Sequence, residues 1–364
     1  MGKRELLIVV GFFVVGAVVF RLVAPPAPES SSSFSLSNLF DEARREMRGN
    51  PGRATVTHAE TLPAPAGLRE LRVMRVGRAL EIIGEDRDTI EFSLNVSSTG
   101  PDDAAANTYA ERTRFVPDDL GDTLVLRVDY PPEASQDTSA VIRVPRRLAV
   151  RAESSNGVVI TNVSAAHVEA ARGTVSISDV AGPVTGIHQD GDVTVSGVAS
   201  VKMRLVRLRS RFEGVSGPVT LDVRDGDCTV ADSRAPVEID SARGDITVTG
   251  PRGTVTVRGT DGRVTIEHPR GETRVDMRRT EVEVAIDAGV PVTVMTTDQT
   301  ARLIVDRAAR FQLDALSAGG DIQAADLELT PEKTGNDSKL LHTFGGGGAR
   351  VTIRNTRGDI VIRK

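Results

Sequence analysis

Residues 243–268 read RGDITVTGPRGTVTVRGTDGRVTIEH, a stretch in which a glycine and an alternating run of Val, Ile and Thr occur twice. The same glycine-led motif recurs along the chain as Gly173-TVSI, Gly191-DVTV, Gly226-DCTV, Gly244-DITV and Gly262-RVTI. Successive motifs are spaced by about 18 residues or by about twice that value. A fixed period with one supersecondary unit per repeat is typical of a solenoid, in which each repeat forms one coil.

A second series of strands lies between the glycine motifs, and its leading valines, Val201, Val219, Val237 and Val255, are each 18 residues apart. Because side chains alternate along a strand, one set in each register must point inward. We expect the inward set to be Val201, Met203, Val219, Leu221, Val237, Ile239, Val255, Val257 and Val275, with Cys228, Val230, Ile246, Val248, Val264, Ile266, Val282 and Val284 in the other register. Cys228 is therefore interpreted as a small core residue rather than a reactive thiol.

The outward positions support the same period. Stacking at 18 residues predicts two files of charged side chains, in which most neighbours carry opposite charge. The first file is Arg204, Asp222, Asp240, Arg258 and Asp276, and the second is Arg209, Asp227, Asp245, Arg263 and Glu281. Such exposed pairs contribute a few tenths of a kcal/mol each, so we expect them to specify register more than stability.

The composition excludes several classes of protein. The 364 residues are 39% hydrophobic and only 3% aromatic, with no Trp, so the core must be built from aliphatic side chains. A net charge of −5 gives no global basic field for nucleic acid. A single cysteine excludes an internal disulfide framework.

The N-terminus predicts export. Lys3 and Arg4 precede an apolar run within residues 1–24, which we interpret as a single membrane anchor or a cleaved signal peptide. Pro25 and Pro28 each follow an alanine and disfavour cleavage, so the anchor is preferred. Residues 25–54 are expected to be a Pro/Ser-rich linker with a short helix in Asn38–Gly49.

The predicted fold class is therefore all-β, a parallel β-helix or solenoid of about 18 residues per turn, preceded by an N-terminal β region and a single N-terminal transmembrane helix. Residues 55–145 carry strands with longer polar excursions and are expected to cap the first open edge of the solenoid, which occupies residues 146–364. The closing strand pair after the glycine run, ARVTIRNTRGDIVIRK (349–364), is expected to cap the far end.

These motifs, with the entry RVPRRLAVRAESSNGVVITNV (143–163) and the ending GGGGARVTIRNTRGDIVIRK (345–364), resemble the bacterial DUF4097 family, also called "putative adhesin". The resemblance covers about residues 140–364 well and 55–140 more loosely. It implies a β-strand-repeat domain of the cell envelope. The family supplies no catalytic or ligand residues, so the resemblance concerns architecture.

Motifs that carry chemistry are scarce. Arg243-Gly244-Asp245 and Arg357-Gly358-Asp359 match an integrin-binding tripeptide, but both fall at repeat corners, where turn chemistry explains them. The aspartates that follow single glycines do not supply the six or more oxygens of a calcium site. The five histidines share no metal-ligand spacing, and His188 near Asp190 is interpreted as a solvated corner.

One surface feature suggests binding. Lys202, Arg204, Arg207, Arg209 and Arg211 alternate with largely apolar residues and form a candidate interaction surface for anionic glycan or lipid headgroups. The alternative is a solvated strand face paired with acids on the next coil.

The sequence predicts a non-catalytic, membrane-anchored, exported β-solenoid of the bacterial cell envelope, an adhesin or interaction scaffold without cofactor. Its expected partner is an envelope protein or glycan, with no nucleic acid. One alternative is an enzyme acting on envelope polysaccharide through the outward carboxylates Asp222 and Asp240, although flanking arginines would keep both ionised. The other is a sensor or regulatory subunit of a membrane complex.

Overall fold

The computed structural model describes residues 52–132 and 135–364. The predicted membrane anchor and almost all of the predicted linker lie outside these residues. Within them are 26 strands that belong to one hydrogen-bonded sheet, an α-helix α1 (Asp103–Arg112) and a 3-10 helix (Ala325–Leu327). The all-β class is confirmed.

The strands fall into three groups along the chain. The first comprises β1 (Gly52–Pro63), β2 (Glu70–Val76), β3 (Ala79–Glu85), β4 (Thr89–Gly100), β5 (Arg114–Asp119), β6 (Thr123–Asp129), β7 (Ser135–Pro145), β8 (Ala149–Ser154) and β9 (Gly157–Thr161). The second comprises β10 (Ala165–Ser178), β11 (Pro183–Ser196), β12 (Ser200–Val206), β13 (Leu208–Glu213), β14 (Val219–Arg224), β15 (Asp227–Ala231), β16 (Val237–Thr249), β17 (Val255–Glu267) and β18 (Thr273–Ile286). The third comprises β19 (Val292–Thr297), β20 (Ala301–Val305), β21 (Phe311–Ala318), β22 (Ile322–Gln323), β23 (Glu332–Thr334), β24 (Asp337–Phe344), β25 (Ala349–Thr356) and β26 (Ile360–Arg363).

In the middle of the chain the strands form two parallel rows. The first row contains β12, β14 and the first halves of β10, β11, β16, β17 and β18, and the second row contains β13, β15 and the second halves. One pass of the chain along both rows is called a coil below. Each coil pairs in parallel with the next, with an offset of 17 or 18 residues.

The predicted register is confirmed residue by residue. Val201 pairs with Val219, Val219 with Val237, and Val237 with Val255. All 17 side chains expected to point inward, Cys228 among them, are buried in one continuous aliphatic core. Because a single coil leaves this apolar stripe exposed above and below, stacking is what removes it from water.

The repeated glycines lie where the backbones of successive coils touch. A Cβ atom added to Gly244 would be 2.0 Å from the carbonyl oxygen of Gly226, and one added to Gly262 would be 2.1 Å from the oxygen of Gly244. A side chain at Gly244 or Gly262 would therefore push two coils apart. The glycines of these two motifs are therefore a steric requirement of stacking, whereas Leu208 and Thr280 occupy the same register position on other coils.

At the N-terminal end, the order of strands in space differs from their order in the chain. β2 lies between β6 and β8, and β3 lies between β7 and β9, all in parallel. The outer edges are covered by antiparallel strands, because β5 pairs with β6, and β4 and β1 follow β7. Helix α1 packs against β1 and β4 and buries Ala106 and Ala110.

The C-terminal end shows the same arrangement, and here one expectation is wrong. The closing strand pair does not cap the stack: β25 lies between β19 and β21, and β26 lies between β20 and β22. The end of the first row is formed by the antiparallel strands β24 and β23. An inserted coil is hydrogen-bonded on both edges, whereas a terminal coil would be bonded on one and would fray.

Substitution of Gly244 by Ala should destabilise the protein by about 1–3 kcal/mol or more, because the new methyl group would collide with fixed backbone. Thermal unfolding followed by circular dichroism measures this change. Gly67→Ala is the matched control, since no atom lies within 4 Å of its added Cβ. Equal unfolding midpoints for the two variants would contradict the close approach of the corners.

Ile353 and Ile322 provide a test of the inserted C-terminal coil. Ile353 lies in β25 and is 1% exposed, whereas Ile322 lies in the outer strand β22 and is 5% exposed. We expect Ile353→Ala to cost about 3–5 kcal/mol and Ile322→Ala about 2, because neighbours on both sides prevent collapse around the larger cavity. Urea unfolding of the two variants would show the reverse order if β25–β26 were the outermost coil.

Candidate functional site

The basic run singled out in the sequence is divided by a corner of the fold. Lys202 and Arg204 lie on β12 in the first row, Arg209 and Arg211 lie on β13 in the second row, and Arg207 forms the corner with a φ of 53°. The five cations are therefore one coil's outward residues, distributed over two rows.

Three of these cations are held by carboxylates. Arg207 donates to both carboxylate oxygens of Asp190, from Nε at 2.8 Å and from Nη2 at 3.0 Å. Arg211 donates to Glu213 at 3.1 Å, and Arg204 lies 3.5 Å from Asp222. Within the described part of the chain, neither Lys202 nor Arg209 has a carboxylate within 4.0 Å.

Threonines flank two of the cations on the neighbouring coils. Lys202 is the register partner of Thr185 on one side and Thr220 on the other. Arg211 is likewise placed between Thr194 and Thr229. A cation between two hydroxyls offers several hydrogen-bond donors to one anionic group.

Beside Arg207 the outer surface forms an open concavity of about 610 Å³. Residues of both charges line this concavity. They are Gly191, Asp192, Arg207, Leu208, Arg209, Asp225, Gly226, Asp227 and Arg243. Its shape and mixed charge suit an extended polar partner better than an enclosed small molecule.

The corner at Arg207 is part of a ladder that the sequence analysis missed. At the corner between the first and second rows, the residues with a positive φ alternate in charge from coil to coil: Arg207, Asp225, Arg243, Asp261, Arg279, Asp298 and Arg357. The signal was present in the sequence, because each of Asp225, Arg243, Asp261 and Arg357 directly precedes a repeat glycine. We call this series the corner ladder.

The corner ladder, with Asp190 at its start, consists of bidentate ion pairs between adjacent coils. Arg243 pairs with Asp225 and Arg279 with Asp261, the latter at 2.7 and 2.8 Å. Arg357 pairs with Asp298 at 2.6 and 3.0 Å, which ties the inserted coil to β19. The hydrogen bonds from arginine lower the pKa of each aspartate, and that of Asp261 falls to about 2.

These contacts also locate the two Arg-Gly-Asp tripeptides. Arg243 and Arg357 are both ladder members, each holding an aspartate of an adjacent coil. Gly244 is pressed against Gly226. The tripeptides are thus parts of clamped corners.

The predicted charge files have the expected Cα register, but only some of their ion pairs form. Asp222 is contacted by both Arg204 and Arg224, at 3.5 and 2.7 Å. Arg258 binds Glu238 at 3.2 Å instead of its file neighbour Asp240. Arg263 does bind Glu281, at 3.1 Å.

His188 is not a solvated corner, as its sequence position suggested, because it is completely buried. Its Nδ1 lies 3.0 Å from the carbonyl oxygen of Ala170, and its Nε2 lies 3.0 Å from that of Gly173. A neutral imidazole has one N–H and can donate to only one of these oxygens, whereas the protonated ring can donate to both. His188 therefore stabilises the backbone of the corner between Ala170 and Gly173.

The Cys228 thiol does not form a reactive site, and the acidic and histidine side chains of the described residues form no metal-binding cluster. Burial raises the pKa of the Cys228 thiol to about 12, so it is not a thiolate nucleophile at neutral pH. In residues 52–132 and 135–364 no cluster of three or more His, Cys, Asp or Glu side chains has metal-binding geometry. No helix in the same residues has the length and apolar character needed to cross a membrane.

Comparison with known proteins identifies the family. The model of the Toastrack DUF4097 family matches residues 122–300 and 219–363. The chain belongs to this family. No curated protein matches it.

Several solved structures are similar over most of the chain, at low identity. A "putative cell adhesion protein" from Clostridium sporogenes is 11% identical, with 86% of this chain and 99% of that chain covered and a TM-score of 0.19. A "putative adhesin" from Parabacteroides merdae is 10% identical, with coverages of 87% and 98% and a TM-score of 0.27. A "putative lipid binding protein" from Parabacteroides distasonis is 13% identical, with coverages of 87% and 98% and a TM-score of 0.23.

The corner ladder predicts acid sensitivity. Because pairing lowers the aspartate pKa below its unfolded value near 4, the ladder's stabilisation is complete above about pH 4. It is lost as the pH falls through the native pKa, about 2 for Asp261. We expect Asp225→Asn/Asp261→Asn to lose less stability between pH 4 and pH 2 than the unsubstituted protein does, as measured by urea unfolding at each pH.

Asp118→Asn/Asp326→Asn is the matched control for this titration, because neither of these exposed aspartates has an ion-pair partner within the described residues. It should show the same acid slope as the unsubstituted protein. An unchanged slope in the ladder variant would show that these pairs do not form in solution.

Proposed function

We propose that this chain is an exported, membrane-anchored β-solenoid of the bacterial cell envelope that acts as an interaction scaffold and binds an anionic glycan through the coil β12–β13. Its anchor is the apolar run within residues 1–24, preceded by Lys3 and Arg4. The anionic partner follows from the charges and hydroxyls of that coil.

The observation that carries this proposal is the position of Lys202. It lies between Thr185 and Thr220 on the coils either side, and no carboxylate of the described residues neutralises it. By contrast, the arginines of the corner ladder are fully occupied by aspartates. A carboxylate or phosphate of a glycan would receive donors from both the Lys202 ammonium and the Thr220 hydroxyl.

The regular spacing of outward side chains suits a polymeric partner. Hydrogen bonding from coil to coil fixes the outward side chains at strand spacing, about 4.8 Å. An extended chain laid across the rows could therefore contact Lys202 and Arg204 on the first row, or Arg209 and Arg211 beside the concavity on the second row. Preorganised contacts of this kind cost little conformational entropy on binding.

The experiment measures binding of the full-length chain, in detergent micelles, to polygalacturonate as the anionic probe and to dextran as the neutral one. We expect binding to polygalacturonate alone, weakened by added salt. Lys202→Ser/Arg209→Ser, which removes the two cations of this coil without a carboxylate of the described residues within 4.0 Å, should bind at least about tenfold more weakly, since hydrogen bonds to charged groups contribute about 1.5–3 kcal/mol.

Arg234→Ser/Arg252→Ser is the matched control, because it removes two exposed charges from turns on other coils, outside the strands of either row. It should bind polygalacturonate as tightly as the unsubstituted chain. Equal weakening in both variants would indicate a general charge effect, and binding to dextran would indicate recognition without charge. Either result would overturn the proposal, as would capture of an envelope protein in place of the glycan.

A further inference from the structure

Three polar side chains on the outer face of the first row form a continuous hydrogen-bonded series. Thr185 Oγ1 lies 2.8 Å from Nδ1 of His167, and Nε2 of the same ring lies 3.0 Å from Oε1 of Glu169. A hydroxyl, an imidazole and a carboxylate in this order are the parts of an activated nucleophile.

The stacking of coils brings the three together. His167 and Glu169 are two residues apart on β10 and therefore lie on the same face. Thr185 is the register partner of His167 on β11. No spacing within a single strand would reveal this arrangement, because one member comes from the next coil.

The hydrogen bonds determine the tautomer of His167. An ionised carboxylate only accepts hydrogen bonds, so Nε2 carries the proton that points to Glu169. Nδ1 then holds a lone pair, and the Thr185 hydroxyl donates to it. The hydroxyl proton is thus directed at the one group able to remove it.

Glu169 is fixed in its ionised form by a second partner. Arg151 Nη2 donates to Glu169 Oε1 at 2.5 Å, and Arg151 Nε lies 3.4 Å from Glu153. The hydrogen bond from His167, followed by the charge of Arg151, lowers the pKa of Glu169. The carboxylate therefore orients the ring and can stabilise it when protonated.

The surroundings of Thr185 indicate what could bind there. Lys202 is its neighbour on the next coil and can place a positive charge near a developing oxyanion. Ile187, two residues along the same face, is 44% exposed and offers an apolar contact. Beside it is a shallow concavity of about 410 Å³ lined in part by Glu169, Ala171, Ile187 and Gln189.

We propose that Thr185 and His167 are the nucleophile and general base of a hydrolytic site for short acyl esters, with Glu169 as the positioning residue for His167. The site goes beyond the binding function proposed above. It depends on three hydrogen bonds that polymer binding does not use, so either proposal can fail alone.

The reaction has two balanced steps. Thr185 Oγ bonds to the ester carbonyl carbon while its proton moves to His167 Nδ1. The bond from that carbon to the alcohol oxygen then breaks, and the alcohol leaves with the proton from Nδ1. Water next attacks the acyl-threonine through the same base, releasing the carboxylic acid and restoring the Thr185 hydroxyl.

The experiment uses the full-length chain with p-nitrophenyl acetate, and with a fluorophosphonate probe whose attachment site is found by mass spectrometry. We expect slow hydrolysis and labelling at Thr185. Thr185→Val, which keeps the side-chain shape, should abolish labelling and lower kcat/KM about 100-fold. His167→Gln should have a similar effect.

Thr256→Val is the matched control, because Thr256 occupies the corresponding position on β17 with no histidine beside it. It should hydrolyse the ester at the unsubstituted rate. Glu169→Gln should lower kcat about tenfold and leave KM unchanged, a separation that a purely structural role would not produce. Equal rates in Thr185→Val and Thr256→Val, or labelling elsewhere than Thr185, would overturn the proposal.

Discussion

The structure depends on the close, in-register contact of one coil with the next. A coil alone exposes its inward valines and isoleucines on two edges, and its backbone groups are unpaired there. Adding a neighbour buries both the side chains and the hydrogen-bonding groups in the same step. This contact requires glycine where backbones approach most closely, as at Gly226, Gly244 and Gly262. The repeat in the sequence and the repeat in the fold therefore have the same cause.

Charged side chains at the corners specify which coils pair with each other. A left-handed φ is costly for arginine, yet Arg207, Arg243, Arg279 and Arg357 all adopt it. Each is held by a bidentate aspartate on an adjacent coil. Alternation of sign along the corner ladder means that a slip of one coil would oppose like charges. Exposed pairs contribute little stability singly, but a series of them specifies which coil follows which.

The two ends of the stack protect their exposed strand edges in the same way. The outermost coil of a repeat protein has one unsatisfied edge, and a chain terminus at that edge would fray. Here the first strands of the two parallel rows, β2–β3, and the last strands, β25–β26, are each inserted one coil inside the end. Antiparallel strands that are not part of the repeat cover the edges outside them. The result is that β2, β3, β25 and β26 each have partners on both sides.

The sequence by itself determined the all-β class, the 18-residue offset, the inward residues and the buried position of Cys228, because each follows from local periodicity that the next coil repeats. It could also have revealed part of the corner ladder, because Asp225, Arg243, Asp261 and Arg357 each precede a repeat glycine. Only the tertiary structure decided that β25–β26 lies inside the stack, since hydrogen bonding on two edges favours an order that chain sequence does not encode. Contacts between coils likewise decided that His188 is enclosed and that His167 joins Thr185 to Glu169. Such groupings arise from side chains a full coil apart, whose identities follow no period.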